Sequence, residues 1–251
     1  MLEDIQPHIR CSSKDAARYA IMPGDPKRVE RVKLFLENPV DLAYNREFKS
    51  CSGFYKGVKV MVVSTGIGGA STAIAVEELR NIGVETLIRI GSCGALQKNI
   101  KLGELIIAKG AVREDGTSET YVQKSYPAIA DPLVLMSLME SAKELNLTYH
   151  CGLIRSHDAL YADNGRELES YWRQKGVLGS DMETSALFVI GGLRNLRTAS
   201  VLNVVVESEE SLTAGINSYI DGESETLLGE KNEIVTVLEA IIKLENLSRG
   251  L

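Results

Sequence analysis

The chain is poor in the residues that mark the commonest catalytic devices. Its three histidines, at positions 8, 150 and 157, lie in unrelated contexts, so no Ser-His-Asp arrangement is evident. Four cysteines, Cys11, Cys51, Cys93 and Cys151, stand far apart with no CxxC between them. That spacing suggests neither a zinc site nor a disulfide framework and leaves incidental or buried thiols. There is no GxxxxGK[ST], which excludes a P-loop ATPase at the level of motif. No apolar run approaches the roughly 18 residues of a membrane span. The start, Met1-Leu-Glu-Asp-Ile-Gln-Pro-His8, has neither the basic nor the apolar region of a signal peptide, so a cytoplasmic protein is expected. Positive charge is not in excess either: Lys and Arg number 28 against 34 Asp and Glu, a net charge of −6. A general nucleic-acid or anionic-membrane surface is thereby disfavoured, and any anion site has to be local.

What is present describes an ordinary soluble globular protein, with 44% hydrophobic and 25% charged residues. A length of 251 residues suits one large domain over 1–251. Strand-like runs at 58–64, 84–88, 104–108, 111–113, 149–154 and 198–206 alternate with helical patterns at 73–81, 131–145 and 234–244. A further helix is expected to open within Gly179 to Leu187. This alternation predicts an α/β fold, a central mostly parallel mixed sheet with helices on both faces. In such sheets ligands sit at the carboxyl ends of strands, where Thr65, Arg89, Ser156 and Glu207 fall.

The stretch Arg89-Ile-Gly-Ser-Cys-Gly-Ala-Leu96 reads as a buried strand breaking into a tight turn whose backbone N–H groups could hold an anion. A buried arginine there needs either an acidic partner or an anionic ligand, because an unpaired charge costs several kcal/mol. Upstream, Asp25 is a good N-cap and Pro26 a good first helical residue, so Gly24 and Arg28 lie at a helix N-terminus that favours phosphate. An ordinary strand-turn-helix with a solvated arginine is the other reading. The glycine turn Thr65-Gly-Ile-Gly-Gly-Ala-Ser-Thr72 resembles a dinucleotide fingerprint only superficially, since Ser71 stands where the third glycine is needed.

Five motifs in order, PGDPKRVE at 23–30, NREF at 45–48, STGIGGAST at 64–72, VEELRNIGVETLIRIGSCGAL from Val76 and DMETSAL at 181–187, together resemble the nucleoside phosphorylase-I family, and within it the uridine-specific branch. The resemblance implies phosphorolysis: inorganic phosphate, the co-substrate, attacks C1′ of a nucleoside to give (deoxy)ribose 1-phosphate and a free base, with no further cofactor. It assigns Gly24, Arg28, Arg89 and Ser92 to phosphate, with Arg46 reaching across from a neighbouring subunit. Guanidinium forks suit that task because they bind and orient an oxyanion. It also assigns His8, across a dimer interface, with Thr65, Met182 and Glu183 to the ribose. Asp181 stands where many relatives have Glu, one methylene shorter.

For the base, the resemblance offers Ser156, Tyr161, Asn164 and Arg166, with a shortened amide at 164 and Leu160 where a stacking Phe is usual. Glu207, Glu209 and Glu210 follow the strand where purine enzymes carry the acid that protonates N7; a glutamate there needs a raised pKa to do so. For Glu209 and Glu210 an acidic loop facing solvent is the preferred reading. Glu47, Ile67 and Ser71 match positions that hold a monovalent cation such as K+ at some dimer interfaces. The family implies at least a homodimer and often a hexamer. The alternatives are a purine nucleoside phosphorylase, a nucleosidase that uses water, and a non-catalytic nucleoside-binding protein. Retention of Arg28, Arg46, Arg89 and Glu183 speaks against the last two.

Overall fold

Strands that are apolar on both sides have to be covered on both faces. In the computed structural model, which describes residues 4–208, 210, 213, 215–217 and 224–250, they are. In β1 (Tyr19–Pro23) the residues Tyr19 and Ile21 enter one core while Ala20 and Met22 enter another. The helices α2 (Gly69–Asn81) and α6 (Thr184–Leu193) cover one face. The other is covered by α1 (Pro26–Lys33), α4 (Pro132–Glu144) and α7 (Ser224–Arg249). Helix starts follow the capping chemistry of the sequence: Asp25 accepts from Lys27 N at 2.9 Å, and Asp131 from Leu133 N and Val134 N at 3.0 Å.

The sheet is mixed. Parallel ladders join β4 (Val58–Val63), β1, β5 (Thr86–Ala95) and β10 (Arg197–Val206), and also link β6 (Leu105–Glu114) through β8 (Tyr149–His157) to β9 (Gly179–Asp181). Antiparallel ladders add β3 (Phe48–Tyr55) to β4 and β2 (Glu37–Asn45) to β3 at one end. At the other end they pair β10 with β6, β5 with β9, and β7 (Ala128–Ile129) with β6. Strands β5, β10, β6, β8 and β9 therefore close into a ring. One edge of β5 is held by β1 from Thr86 to Ile90 and by β9 at Gly94 and Ala95. The gap between those two neighbours is where the site forms. The long edge strand, β2, carries Pro39, Asn38 at φ 48 and two register shifts.

Several elements differ from the sequence expectation, each for a local reason. The stretch from Arg89 is not a strand breaking into a tight turn: β5 runs on to Ala95, because β10 and β9 supply its ladders. Gly91 is required within the strand, since a Cβ there would lie 2.5 Å from Arg89 Nη2. The two short runs at 104–108 and 111–113 are one strand with an irregularity between Ala108 and Gly110. Helix α2 starts at Gly69, its first turn closed by Thr72, whose Oγ1 donates to Gly68 O at 2.9 Å. The DMET segment begins on the last residue of strand β9, whereas the expected 234–244 helix is present within α7. A short helix, α5 (Gly165–Gln174), follows β8 with no fully buried residue, and α3 (Gly116–Tyr121) packs beside α2 and α6.

Residues 8 and 9 of the N-terminal segment are both held by one carboxylate, with Asn45 Nδ2 donating to His8 O at 2.8 Å. Glu78, buried on α2, accepts from His8 N at 3.0 Å and Ile9 N at 2.8 Å, and pairs with His8 Nδ1 at 2.6 Å. Ile9 is fully buried, so its N–H has no water to turn to. Hydrogen bonds to a charged group contribute about 1.5–3 kcal/mol each. Glu78→Ala should therefore lower unfolding stability by about 2–4 kcal/mol and accelerate amide exchange at His8 and Ile9 ahead of the sheet; unchanged exchange there would dismiss the latch.

Candidate active site

Two backbone bonds bring the first half of the site together: Thr65 N donates to Pro23 O at 2.9 Å and Gly66 N to Gly24 O at 3.0 Å. They clamp the β1–α1 turn to the β4–α2 turn directly above Arg89 of β5. Arg89, 4% exposed, lies between two carboxylates: its Nε donates to Asp181 at 3.0 Å and its Nη2 to Glu183 at 2.5 Å. The resemblance gives Arg89 phosphate as its partner, whereas the structure supplies two acidic ones. Yet Arg89 Nη1 is buried with no protein partner among the described residues.

Asp181 is fully engaged. It accepts from Arg89, from Ser156 Oγ at 2.5 Å and from Thr184 N and Oγ1 at 3.0 and 2.6 Å, so it caps α6 and aims the arginine. Glu183 accepts from Gly68 N at 2.6 Å, and Gly68 holds φ 97, a conformation open to glycine. Burial raises the proton affinity of Glu183; Arg89 opposes this, Asp181 reinforces it, and the N–H groups of Gly68 and Met182 oppose it.

Arg28, 2% exposed, completes the cationic side. Its Nη2 donates to Ser92 Oγ at 2.9 Å, its Nε to Glu230 at 3.2 Å, and its Nη1 lies 3.1 Å from Glu233 Oε1. Glu230 and Glu233 come from α7, more than 200 residues along the chain, and were not singled out from the sequence. Their signal was there: two glutamates three apart within the apolar stripe of Ile234, Val237 and Ile241. Glu233 is fully buried and also accepts from Gly91 N at 3.2 Å. Burial pushes its carboxyl up to about 8, with Arg28 opposing and Glu230 reinforcing.

These groups surround a cavity of about 540 Å³. Seven of the expected residues line it: Gly24, Arg28, Ile67, Arg89, Ser92, Met182 and Glu183. The rest of the wall includes His157, Leu160, Val205, Val206 and Ile216, none of them in the expected set. Thr65 and Ser156 are buried beside it with their hydroxyls engaged, Thr65 Oγ1 donating to Gly66 O at 3.0 Å and Ser156 Oγ to Asp181. Tyr161, Asn164 and Arg166 are exposed around the start of α5. Glu207 pairs with Lys101 at 2.9 Å and takes Leu102 N at 3.3 Å, outside the cavity wall; Glu210 is exposed and Glu209 lies outside the described residues. His8 stands part-exposed on its Glu78 latch, and Arg46 is exposed at the β2–β3 turn with φ 54. Glu47, Ile67 and Ser71 meet around Gly66, where a Cβ would lie 2.7 Å from Glu47 Cγ and 3.6 Å from Ser71 Oγ. No cluster of three or more His, Cys, Asp or Glu suited to a metal occurs among the described residues.

The raised affinity of Glu233 has a thermodynamic consequence. Folding strengthens its hold on the proton, so its contribution is most favourable below the ordinary 4.5 and declines as pH rises through about 8, then levels off. The stability of the wild type relative to Glu233→Gln should fall between pH 5 and 9 in denaturant titrations. A difference independent of pH would show that Glu233 stays ionised throughout.

Residues 18–226 match the phosphorylase superfamily. Uridine phosphorylase from Thermococcus kodakarensis is 44% identical over 214 residues, 80% of this chain and 77% of that protein. Guanosine phosphorylase from Halorubrum lacusprofundi is 36% identical over 220 residues, 88% and 89% of the two chains. The crystal structure of uridine phosphorylase from Vibrio fischeri superposes with a TM-score of 0.88 at 42% identity, covering 95% of this chain and 97% of that one. By sequence match and by fold alike, the chain belongs to the phosphorylase superfamily, in its nucleoside phosphorylase-I family.

Proposed function

We propose that the chain catalyses phosphorolysis of a nucleoside to free base and (deoxy)ribose 1-phosphate, with uridine as the preferred substrate. The observation that carries this is Arg89 Nη1, a buried donor in the cavity wall with no protein acceptor among the described residues, beside Ser92 and Arg28. A buried guanidinium nitrogen left unpaired is costly unless an anion completes it. Phosphate below C1′ suits that position, with Gly24 admitting it closely. Glu183 accepts from the ribose hydroxyls and Met182 packs on the sugar. As the C1′–N bond breaks and a phosphate oxygen bonds to C1′, positive charge on the sugar is stabilised by the phosphate dianion. The departing base leaves with the bond's electron pair.

His8 and Arg46 would complete a neighbouring subunit's site, in a homodimer or a hexamer of three dimers. Arg46 is exposed and has no ion pair among the described residues, as such a role requires. Resemblance assigns Glu47, Ile67 and Ser71, which lie around Gly66, to a monovalent cation at the same interface. Resemblance assigns Ser156, Tyr161, Asn164 and Arg166 to the base. Uracil is favoured over a purine by two of the relatives and by Glu207, whose carboxylate is held by Lys101 rather than turned to the cavity. No helix among the described residues is long and apolar enough to cross a membrane, in keeping with a cytoplasmic enzyme.

Base release from uridine should require phosphate, and Arg89→Ala should lose about 2–5 kcal/mol, roughly 30- to several-thousand-fold, chiefly in phosphate kinetics. Release at the same rate in phosphate-free buffer would replace the phosphorylase with a nucleosidase. The shared site is testable by mixing: inactive Arg46→Ala and Glu183→Ala proteins, once subunits exchange, should regain activity at hybrid interfaces. Verified hybrids that stay inactive would put both residues in one subunit's site.

A further inference from the structure

The cavity wall divides by chemistry. Asp25, Arg28, Arg89, Asp181 and Glu183 carry its charge and Ser92 adds a hydroxyl, whereas Leu160, Met182, Val205, Val206 and Ile216 give it an apolar surface suited to the flat face of a base. One further side chain with a ring nitrogen lines the same cavity: His157, the last residue of β8. Its Nδ1 lies 3.1 Å from the Ala159 carbonyl oxygen. A carbonyl can only accept, so Nδ1 carries the proton, and in the neutral ring Nε2 is then a bare acceptor. Nε2 has no protein partner among the described residues.

The surroundings keep that ring neutral. Burial lowers its proton affinity, and Arg155 on the same strand lowers it further. Asp181 of β9, the Ala159 carbonyl and Glu114 of β6 act the other way. Both carboxylates are already engaged, Asp181 with Arg89 and Glu114 with Arg155 and Trp172 Nε1.

We propose that His157 is a base-reading residue whose Nε2 accepts the ring N–H of a lactam base, N3–H of a pyrimidine dione or N1–H of a 6-oxopurine. Cytosine and adenine present a lone pair at that ring position in place of the N–H, so acceptor would face acceptor. A site built to accept a hydrogen bond rejects a partner that cannot give one, because a buried polar group is left unpaired. The inference rests on the nucleoside reading but not on the choice of uridine, since uracil and hypoxanthine share the feature being read.

The test is kcat/KM at saturating phosphate for uridine, inosine, cytidine and adenosine, in the wild type, His157→Leu and His157→Gln. The leucine variant should lose about 10- to 100-fold on whichever lactam nucleoside is cleaved, with little change for the amino-bearing counterpart and an unchanged KM for phosphate. Glutamine, whose amide oxygen also accepts, should restore most of the loss. Protonation turns Nε2 from acceptor to donor, so the wild type should also lose lactam turnover on the acid side, with a midpoint below the usual 6.5 of histidine. The glutamine variant should lack that limb. Equal losses on all four nucleosides in both variants, or an unchanged lactam-to-amine ratio in His157→Leu, would overturn the proposal. Failure of the nucleoside reading would show separately, as a wild type that releases no base in phosphate.

Discussion

The buried charge of Arg89 is the constraint on which the rest of the site depends. A guanidinium in the middle of a covered sheet persists only with carboxylates on hand, and the chain brings two from the segment that links β9 to α6. Supplying them dictates much else: β9 has to reach the far end of β5, α6 has to start where Asp181 can cap it, and position 91 has to be glycine. Ser156, Thr184 and Gly68 are drawn in to satisfy the remaining oxygens and thereby couple β8, α6 and α2 to one ionic centre. That centre holds an anion-ready nitrogen at a fixed point in the cavity wall.

Arg28 repeats the principle on the opposite face, with Glu230 and Glu233 of α7 in the corresponding roles. Counting Arg31, three arginines meet four carboxylates across the two clusters, and Glu183 and Glu233 both hold protons more tightly than usual. The site is thus no broad positive basin. It is a nearly balanced ionic lattice that offers its donors from a few nitrogens in defined directions, which favours orientation of an oxyanion over mere attraction.

The sequence made the arginine side of the cavity legible because its chemistry is local. Asp25-Pro26 announces a helix start, and an arginine in an apolar strand announces a partner. What it hid was chemistry assembled from afar. Nothing near Arg28 points to glutamates at the other end of the chain, and their placement within an apolar helical stripe became informative only once the helix was packed. The stretch from Arg89 misled for a different reason: two glycines read as a turn when at least one of them makes room for a guanidinium folded over its own strand. His157 escaped notice because a histidine at a strand end looks alike whether it faces solvent or a cavity. Glu207 shows the converse, a well-placed carboxylate whose neighbour Lys101 comes from a loop that sequence spacing could not locate.

Among the described residues, the closure of β5, β10, β6, β8 and β9 into a ring leaves β2 as the one open margin longer than the two-residue β7, and that margin is poorly suited to recruiting another strand. Pro39 lacks a donor, Asn38 turns the backbone into a left-handed conformation, and the two register shifts interrupt the row of free amides. Copies of this chain are consequently steered away from stacking through sheet extension, a route that would have no natural end. Association is left to helix faces and loops, whose contacts can be satisfied by a finite, symmetric assembly.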